Sequence, residues 1–189
     1  MRTIETKVYQ FAELSKKAKE TAIEELRSIN TDFGDWHNSA IEDWQEKLEA
    51  LGYEDPKILY SGFWSQGDGA CFTATIDIEK YIKVHKLSRK LSKLLKYQRE
   101  TGNVIGKIEH SWRYFFAKST DVVLYGYGDE VIDDQLEELE EFITKEREEL
   151  GDQLYKELEC EYYALETDES VIDTIESNEY EFLADGSRN

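Results

Sequence analysis

Residues 57–78, KILYSGFWSQGDGACFTATIDI, decide the fold. Two runs rich in aromatic and β-branched side chains flank Gly67-Asp68-Gly69, and such runs around a glycine turn form an antiparallel hairpin, here over 58–78. In the second run Ala70, Phe72, Ala74, Ile76 and Ile78 share one side, and Cys71, Thr73, Thr75 and Asp77 the other, which predicts one buried and one polar face. Turn chemistry accounts for Gly67, Asp68 and Gly69. It does not require Gly62, which marks a bulge or a close approach by another backbone or a ligand. Strand alternation places Tyr60, Gly62, Trp64 and Gln66 on one face. Burial in the core is the expectation for the large aromatics, with a stacking surface beside the Gln66 amide as the alternative.

Working outward toward the N-terminus, Ile4 and Val8 alternate as a short strand. Ser15 caps a helix carrying Ala18, Ala22, Ile23, Leu26 and Ile29, and a second helix from Asp35 carries Ile41, Trp44, Leu48 and Leu51 before Gly52. These two are expected to pair antiparallel. Toward the C-terminus, residues 79–99 read as one basic helix with Val84, Leu87, Leu91 and Leu94 as its apolar stripe, ended by Gly102. NVIGKIEHSWRYFFAKS (103–119) and TDVVLYGYG (120–128) read as two strands, the first continuing through Tyr114 and Phe116. From Glu130 the pattern is helical and acidic, with an interrupted stripe of Leu136, Leu139, Ile143, then Leu150, Leu154, Leu158, and with Gly151 as a kink or break. Thr167 or Asp168 caps a last helix, and Tyr180 and Phe182 alternate as a strand. The fold class is α+β: a mainly antiparallel four- or five-stranded sheet packed with helices, with 1–128 as the core and 129–189 as an acidic helical region packed on the same domain.

Charge divides the chain the same way. The formal net charge is −19, and residues 129–189, with 23 acids against four bases, carry all of it. Residues 80–99 hold eight Lys/Arg and no acid. No apolar run reaches the length of a membrane span, and the N-terminus lacks a signal-peptide pattern, so the expected setting is the cytosol. Two cysteines, Cys71 and Cys160, form neither a disulfide framework nor a zinc pair and are expected at least partly buried. HExxH, GxSxG and GxxxxGK[ST] are absent; no enzyme activity, cofactor or metal is expected. Asp129, Asp133 and Asp134 match no calcium-loop pattern.

Two groups of residues are candidate sites. Glu137, Glu138, Glu140, Glu141, Glu146, Glu148 and Glu149 form an acidic surface that either keeps the helix solvated or imitates the spacing of backbone phosphates for a nucleic-acid-binding partner. Trp64, Gln66 and Asp68 of the hairpin, with His110 and Arg113, form an alternative ligand-binding surface for a small molecule or nucleic acid. For His110 a hydrogen-bonded structural role is favoured over a catalytic one, since no nucleophile or second acid sits at a diagnostic spacing. The basic segment is expected to face the acidic helices of its own chain, so direct nucleic-acid binding is not expected.

SGFWSQGDGACF (61–72), YQFAELSKKAKETAIEEL (9–26) and LECEYYALETDESVIDTIESNEYEFLADG (158–186) together resemble a family of small phage and prophage proteins, sometimes labelled antitoxins of toxin–antitoxin systems. The resemblance implies a histidine and an aromatic around HSWRY, matched by His110 and Tyr114, and a second histidine replaced here at Phe115 or Phe116. It implies no established activity. Joined to the acidic surface, it leads to the expectation of a non-enzymatic phage inhibitor, anti-CRISPR, anti-restriction or otherwise anti-defence, that mimics DNA and binds a host or defence protein. A ligand-binding hairpin module and an antitoxin neutralising a paired toxin are the alternatives.

Overall fold

The computed structural model describes residues 5–126 and 130–189; Ile4 of the expected first strand, the 127–128 end of the strand expected over 120–128, and Asp129 lie outside them. The fold is α+β, and the chain divides into two units, Met1–Asn38 with Cys160–Asn189, and Ser39–Glu159. The expected boundary at 128/129 therefore falls inside the second unit.

In the first unit, β1 (Tyr9–Gln10) pairs antiparallel with β6 (Glu181–Phe182), so the N-terminal strand forms a separate two-stranded sheet and adds no fifth strand to the main one. Ser15 caps α1 (Lys16–Glu25), accepting from the Ala18 amide at 3.3 Å, and Thr167 caps α6 (Asp168–Ser177), accepting from Ser170 at 3.3 Å. Helix α1 packs on α6, the partner the sequence did not identify, with Ala18, Ala22, Val171, Ile175, Phe11 and Phe182 in one cluster. Asn30 ties the turn after α1 to α6: its amide donates to Ser170 Oγ at 3.0 Å and accepts from Thr174 at 2.7 Å. Cys160 is exposed, contrary to expectation, and Cys71 is buried.

The second unit starts with α2 (Asn38–Leu51), stopped by Gly52 at φ 104°, a left-handed position that glycine adopts without a Cβ penalty. A four-stranded antiparallel meander follows in the order β2 (Tyr53–Ser61), β3 (Gly69–Ile76), β4 (Ile105–His110) and β5 (Thr120–Tyr125). Strand β2 begins earlier than its sequence pattern, and Pro56 is tolerated because it lies in a bulge, between Glu54 and Lys57, of an edge strand. The expected buried and polar faces of β3 hold only for its second half. Ala70, Cys71 and Phe72 are all buried, so the strand starts covered on both sides.

The basic segment is two helices, α3 (Ile78–Val84) and α4 (Ser92–Thr101), and not one. Its sequence explains the break. The buried side of α3 is Ile78, Tyr81 and Ile82, whose helical continuation would bring Arg89, Ser92, Lys93 and Lys96 inward. Breaking the helix, with Lys86 at φ 59°, resets the stripe to Leu91, Leu94 and Leu95 and leaves Val84 exposed. Gly102, at φ 64°, ends α4 as expected.

Helix α5 (Glu130–Leu165) runs unbroken for 36 residues. Gly151 is no kink: a Cβ there would sit 2.9 Å from Ala117 Cβ and 3.2 Å from Ala70 O, so the glycine lets the helix touch the end of the sheet. Gly151→Ala in an exposed helix would stabilise by about 1 kcal/mol. Here overpacking reverses the sign, and urea unfolding should show a loss of roughly 1–3 kcal/mol. A gain in stability would contradict this close approach.

Candidate functional site

Strand β2 ends at Ser61, so 62–68 is a loop and the face expected to hold Tyr60, Gly62, Trp64 and Gln66 does not form. The Asp68 carboxylate organises it, accepting from the Trp64 amide at 2.9 Å and the Ser65 amide at 2.6 Å. Gly62 opens this loop, and its carbonyl accepts from the Tyr155 hydroxyl at 3.3 Å. Strand β4 likewise stops at His110, so Trp112, Tyr114 and Phe116 belong to a second loop, 111–119, and do not extend the strand. The Ser111 amide donates to Ser119 O at 3.3 Å, and the Ser119 amide and hydroxyl both donate to Phe116 O, at 2.9 and 2.7 Å. His110 braces the same loop, its Nε2–H donating to Tyr114 O at 3.0 Å.

The two loops meet at the glycines. A Cβ on Gly69 would lie 2.6 Å from Phe115 O, and one on Gly67 would lie 3.2 Å from the Tyr114 ring. Turn chemistry alone does not account for Gly67-Asp68-Gly69; two of its residues also let the second loop lie on the first. Between the loops opens a cleft of about 580 Å³ lined by Ser61, Ser65, Gln66, Gly67, Asp68 and, from the second loop, Arg113 to Phe116. The volume is that of an ordinary small-ligand site.

Of the five residues expected at a hairpin site, Gln66, Asp68 and Arg113 come together on this cleft. Trp64 stands on the same loop outside the lining, 68% exposed, and His110 braces the second loop from behind. The expectation that the aromatics fill the core holds for Phe63, which is buried with its ring centroid 5.6 Å from that of Tyr155, and fails for Trp64. Trp112 is 64% exposed. Tyr114 and Phe116 are also exposed, their ring centroids 5.7 Å apart. The signal for an exposed second loop is the crowding of HSWRYFF itself, since the five consecutive bulky side chains of 112–116 cannot all be buried by one strand.

The seven candidate glutamates on α5 separate into three groups. Glu137, Glu140 and Glu141 are exposed, and among the described residues they take part in no ion pair. Glu138 pairs with Lys90, Glu148 with Lys118 at 3.6 Å and Arg147 at 3.3 Å, and Glu149 with Lys145 at 3.9 Å. The expected compensation between basic and acidic helices is thus limited: Lys83 and Arg99 pair with Glu79, and Lys96 with Glu100, all within the basic region. Glu146 does not belong to the surface. It accepts from Tyr53 Oη at 2.8 Å and Tyr81 Oη at 2.6 Å, and lies 3.2 Å from His85 Nδ1, whose ring stacks on Tyr81 with centroids 4.1 Å apart. Its neighbour Arg147 is buried, donating to Ala117 O at 2.9 Å, Thr120 Oγ1 at 2.9 Å and Thr120 O. Burial pulls that guanidinium below the ordinary arginine range, against the pull of Glu148 and Asp121. These two polar residues occupy the gap between Ile143 and Leu150 in the apolar stripe of α5, which is where the sequence could have revealed them.

Among the described residues no group of His, Cys, Asp and Glu is placed to hold a metal ion, and no helix is long and apolar enough to cross a membrane.

The Tyr53 and Tyr81 hydroxyls also hydrogen-bond each other, so removing the Glu146 acceptor leaves the pair one acceptor short, and Glu146→Ala should cost about 1–3 kcal/mol in chemical denaturation, whereas Glu137→Ala should stay within about 0.5 kcal/mol of wild type. Burial above all lifts the Tyr53 and Tyr81 hydroxyls beyond their ordinary value of 10.0. Their contribution is complete below that pH and is lost above it, where the unfolded chain releases protons that the folded chain keeps. Stability should therefore fall above about pH 10, and less steeply in Tyr53→Phe/Tyr81→Phe; equal slopes would place neither hydroxyl in the core.

No curated protein and no solved structure gives a significant match to the chain. A family model described as a domain of unknown function, DUF8835, matches residues 36–168. That span contains both loops, the cleft, the buried Glu146 network and all of α5, and it covers more than half of the sequence. The chain therefore belongs to the family DUF8835, a domain of unknown function.

Proposed function

We propose that the protein is a non-enzymatic binding protein whose ligand site is the cleft between the 62–68 and 111–119 loops. The observation that carries this reading is the convergence of Gln66, Asp68 and Arg113 with Tyr114 and Phe116 around one opening. Polar groups that fix orientation beside aromatic faces that supply contact area are the composition of a ligand site. Exposing Trp64 and Trp112 on the same two loops has a cost in apolar hydration that a partner recovers. His110, the imidazole adjoining the cleft, has its Nε2 bound to a carbonyl, and among the described residues no nucleophile is hydrogen-bonded to it, which favours binding over acyl or phosphoryl transfer.

The acidic face supports a second reading: a phage inhibitor or antitoxin that occupies the basic groove of a host, defence or toxin protein. The specific observation in its favour is that Glu137, Glu140 and Glu141 stand exposed and uncompensated along α5. Only three of the seven carboxylates remain available for such mimicry, which is why the cleft is the stronger site.

A parallel capture experiment separates the two. Immobilised wild type, Trp64→Ala/Arg113→Ala and Glu137→Lys/Glu140→Lys/Glu141→Lys are incubated with host-cell extract, and retained metabolites and proteins are identified by mass spectrometry at low and high salt. The cleft reading expects a small molecule held by wild type and the lysine variant and lost from the Trp64/Arg113 variant. A protein lost only from the lysine variant, and released by salt, would establish the acidic reading instead.

A further inference from the structure

Resting on the cleft as a binding site, we infer that its ligand is a planar heterocycle bearing a single anionic group, of the chemical class of a nucleoside monophosphate. The inference starts from Arg113. In a chain of net charge −19, this guanidinium takes part in no ion pair among the described residues, although it lines the cleft. The nearest acid on the opposite loop is already committed, because Asp68 Oδ2 accepts two backbone amides that offset its charge. Arg113 is therefore the charge available to a ligand, and a guanidinium selects carboxylate or phosphate by paired N–H donors.

Ring geometry adds the planar part. The Arg113 guanidinium lies 5.9 Å from the Tyr114 ring centroid, so an anion held by Arg113 has its attached group beside an aromatic face. Tyr114 is held in place by the Gly67 backbone against its ring edge and by His110 on its carbonyl, and Phe116 stands at 39° to it, 5.7 Å away. A platform fixed before binding loses little entropy when a base stacks on it. The Gln66 amide carries both donors and an acceptor, the pattern that reads the edge of a heterocycle. Ser61, in the cleft wall, has its Oγ buried without a hydrogen-bond partner, a polar group that a bound ligand can satisfy.

Charge also decides between a monomer and a strand. A bound polynucleotide needs several cations to neutralise successive phosphates. This cleft offers one, in a protein whose overall field repels polyanions.

Calorimetry and two-dimensional NMR of the full chain with AMP, GMP, CMP and UMP test the proposal, against the matching nucleosides, ribose 5-phosphate, inorganic phosphate and octathymidylate. At least one monophosphate should bind and shift Tyr114, Gln66 and Arg113 resonances. Arg113→Ala should weaken it about tenfold or more and reduce it to the affinity of the nucleoside, while Gln66→Ala should change the ranking among the four bases. Tyr114→Leu, which keeps an apolar side chain on the loop, should lose nucleoside and nucleotide binding alike. Monophosphates that bind no better than nucleosides, or that ignore Arg113→Ala, overturn the inference, as does tighter binding of octathymidylate. A second panel of monosaccharides and N-acetyl amino acids distinguishes the failures. If one of those moves the cleft resonances and no nucleotide does, the ligand class is wrong and the site stands; if nothing in either panel moves them, both fall.

Discussion

A buried arginine fixes the end of the sheet on which the cleft depends. Arg147 reaches from α5 to the carbonyls of Ala117 and Thr120 and to the Thr120 hydroxyl, satisfying buried acceptors at the end of loop 111–119 and the start of β5. Beside it, Gly151 lets α5 close on Ala117 and Ala70, and Gly69 lets the 115–116 backbone lie on the hairpin. The three contacts have one effect: the second loop has no freedom to lift from the first. Removing a charged donor from such a site leaves its carbonyls without partners, so the arrangement is costly to break as well as favourable to make.

That constraint also explains how one helix serves two ends. The same turn of α5 that aims Arg147 at the loop aims Glu146 at Tyr53, Tyr81 and His85, joining the start of β2 and the end of α3. A glutamate and an arginine at adjacent positions thus replace one turn of an otherwise apolar stripe, from Ile143 to Leu150. Two carboxylates and a guanidinium of this acidic segment, Glu146, Glu148 and Arg147, are spent on structure, and the exposed Glu137, Glu140 and Glu141, unpaired among the described residues, lie in the turns before them.

Much of the fold was legible because it rests on local chemistry. Ser15, Thr167, Gly52 and Gly102 act as the caps and stops their residue types dictate, and the hairpin follows from β-branched runs about a glycine turn. What could not be read depends on distant partners. The break between α3 and α4 comes from two apolar stripes out of phase, visible only once Tyr81 and Ile82, and not Val84, are known to face inward. Trp64 and Phe63 are adjacent and chemically alike, and only the end of β2 at Ser61 determines which is buried. Of the residues that line the cleft, Gln66, Asp68 and Arg113 are legible from residue type, whereas Tyr114 and Phe116 read as strand and their place on a loop is not.

The central claim is that α5 holds the second loop against the hairpin through Arg147 and so shapes the cleft. Amide hydrogen exchange in Arg147→Met, read beside wild type, tests it most directly. The account predicts faster exchange at Ser111 and Ser119, whose amides close the loop, with the β4–β5 pairs from Ile105 to Glu109 still protected. Unchanged protection at Ser111 and Ser119 in a folded Arg147→Met protein would contradict it.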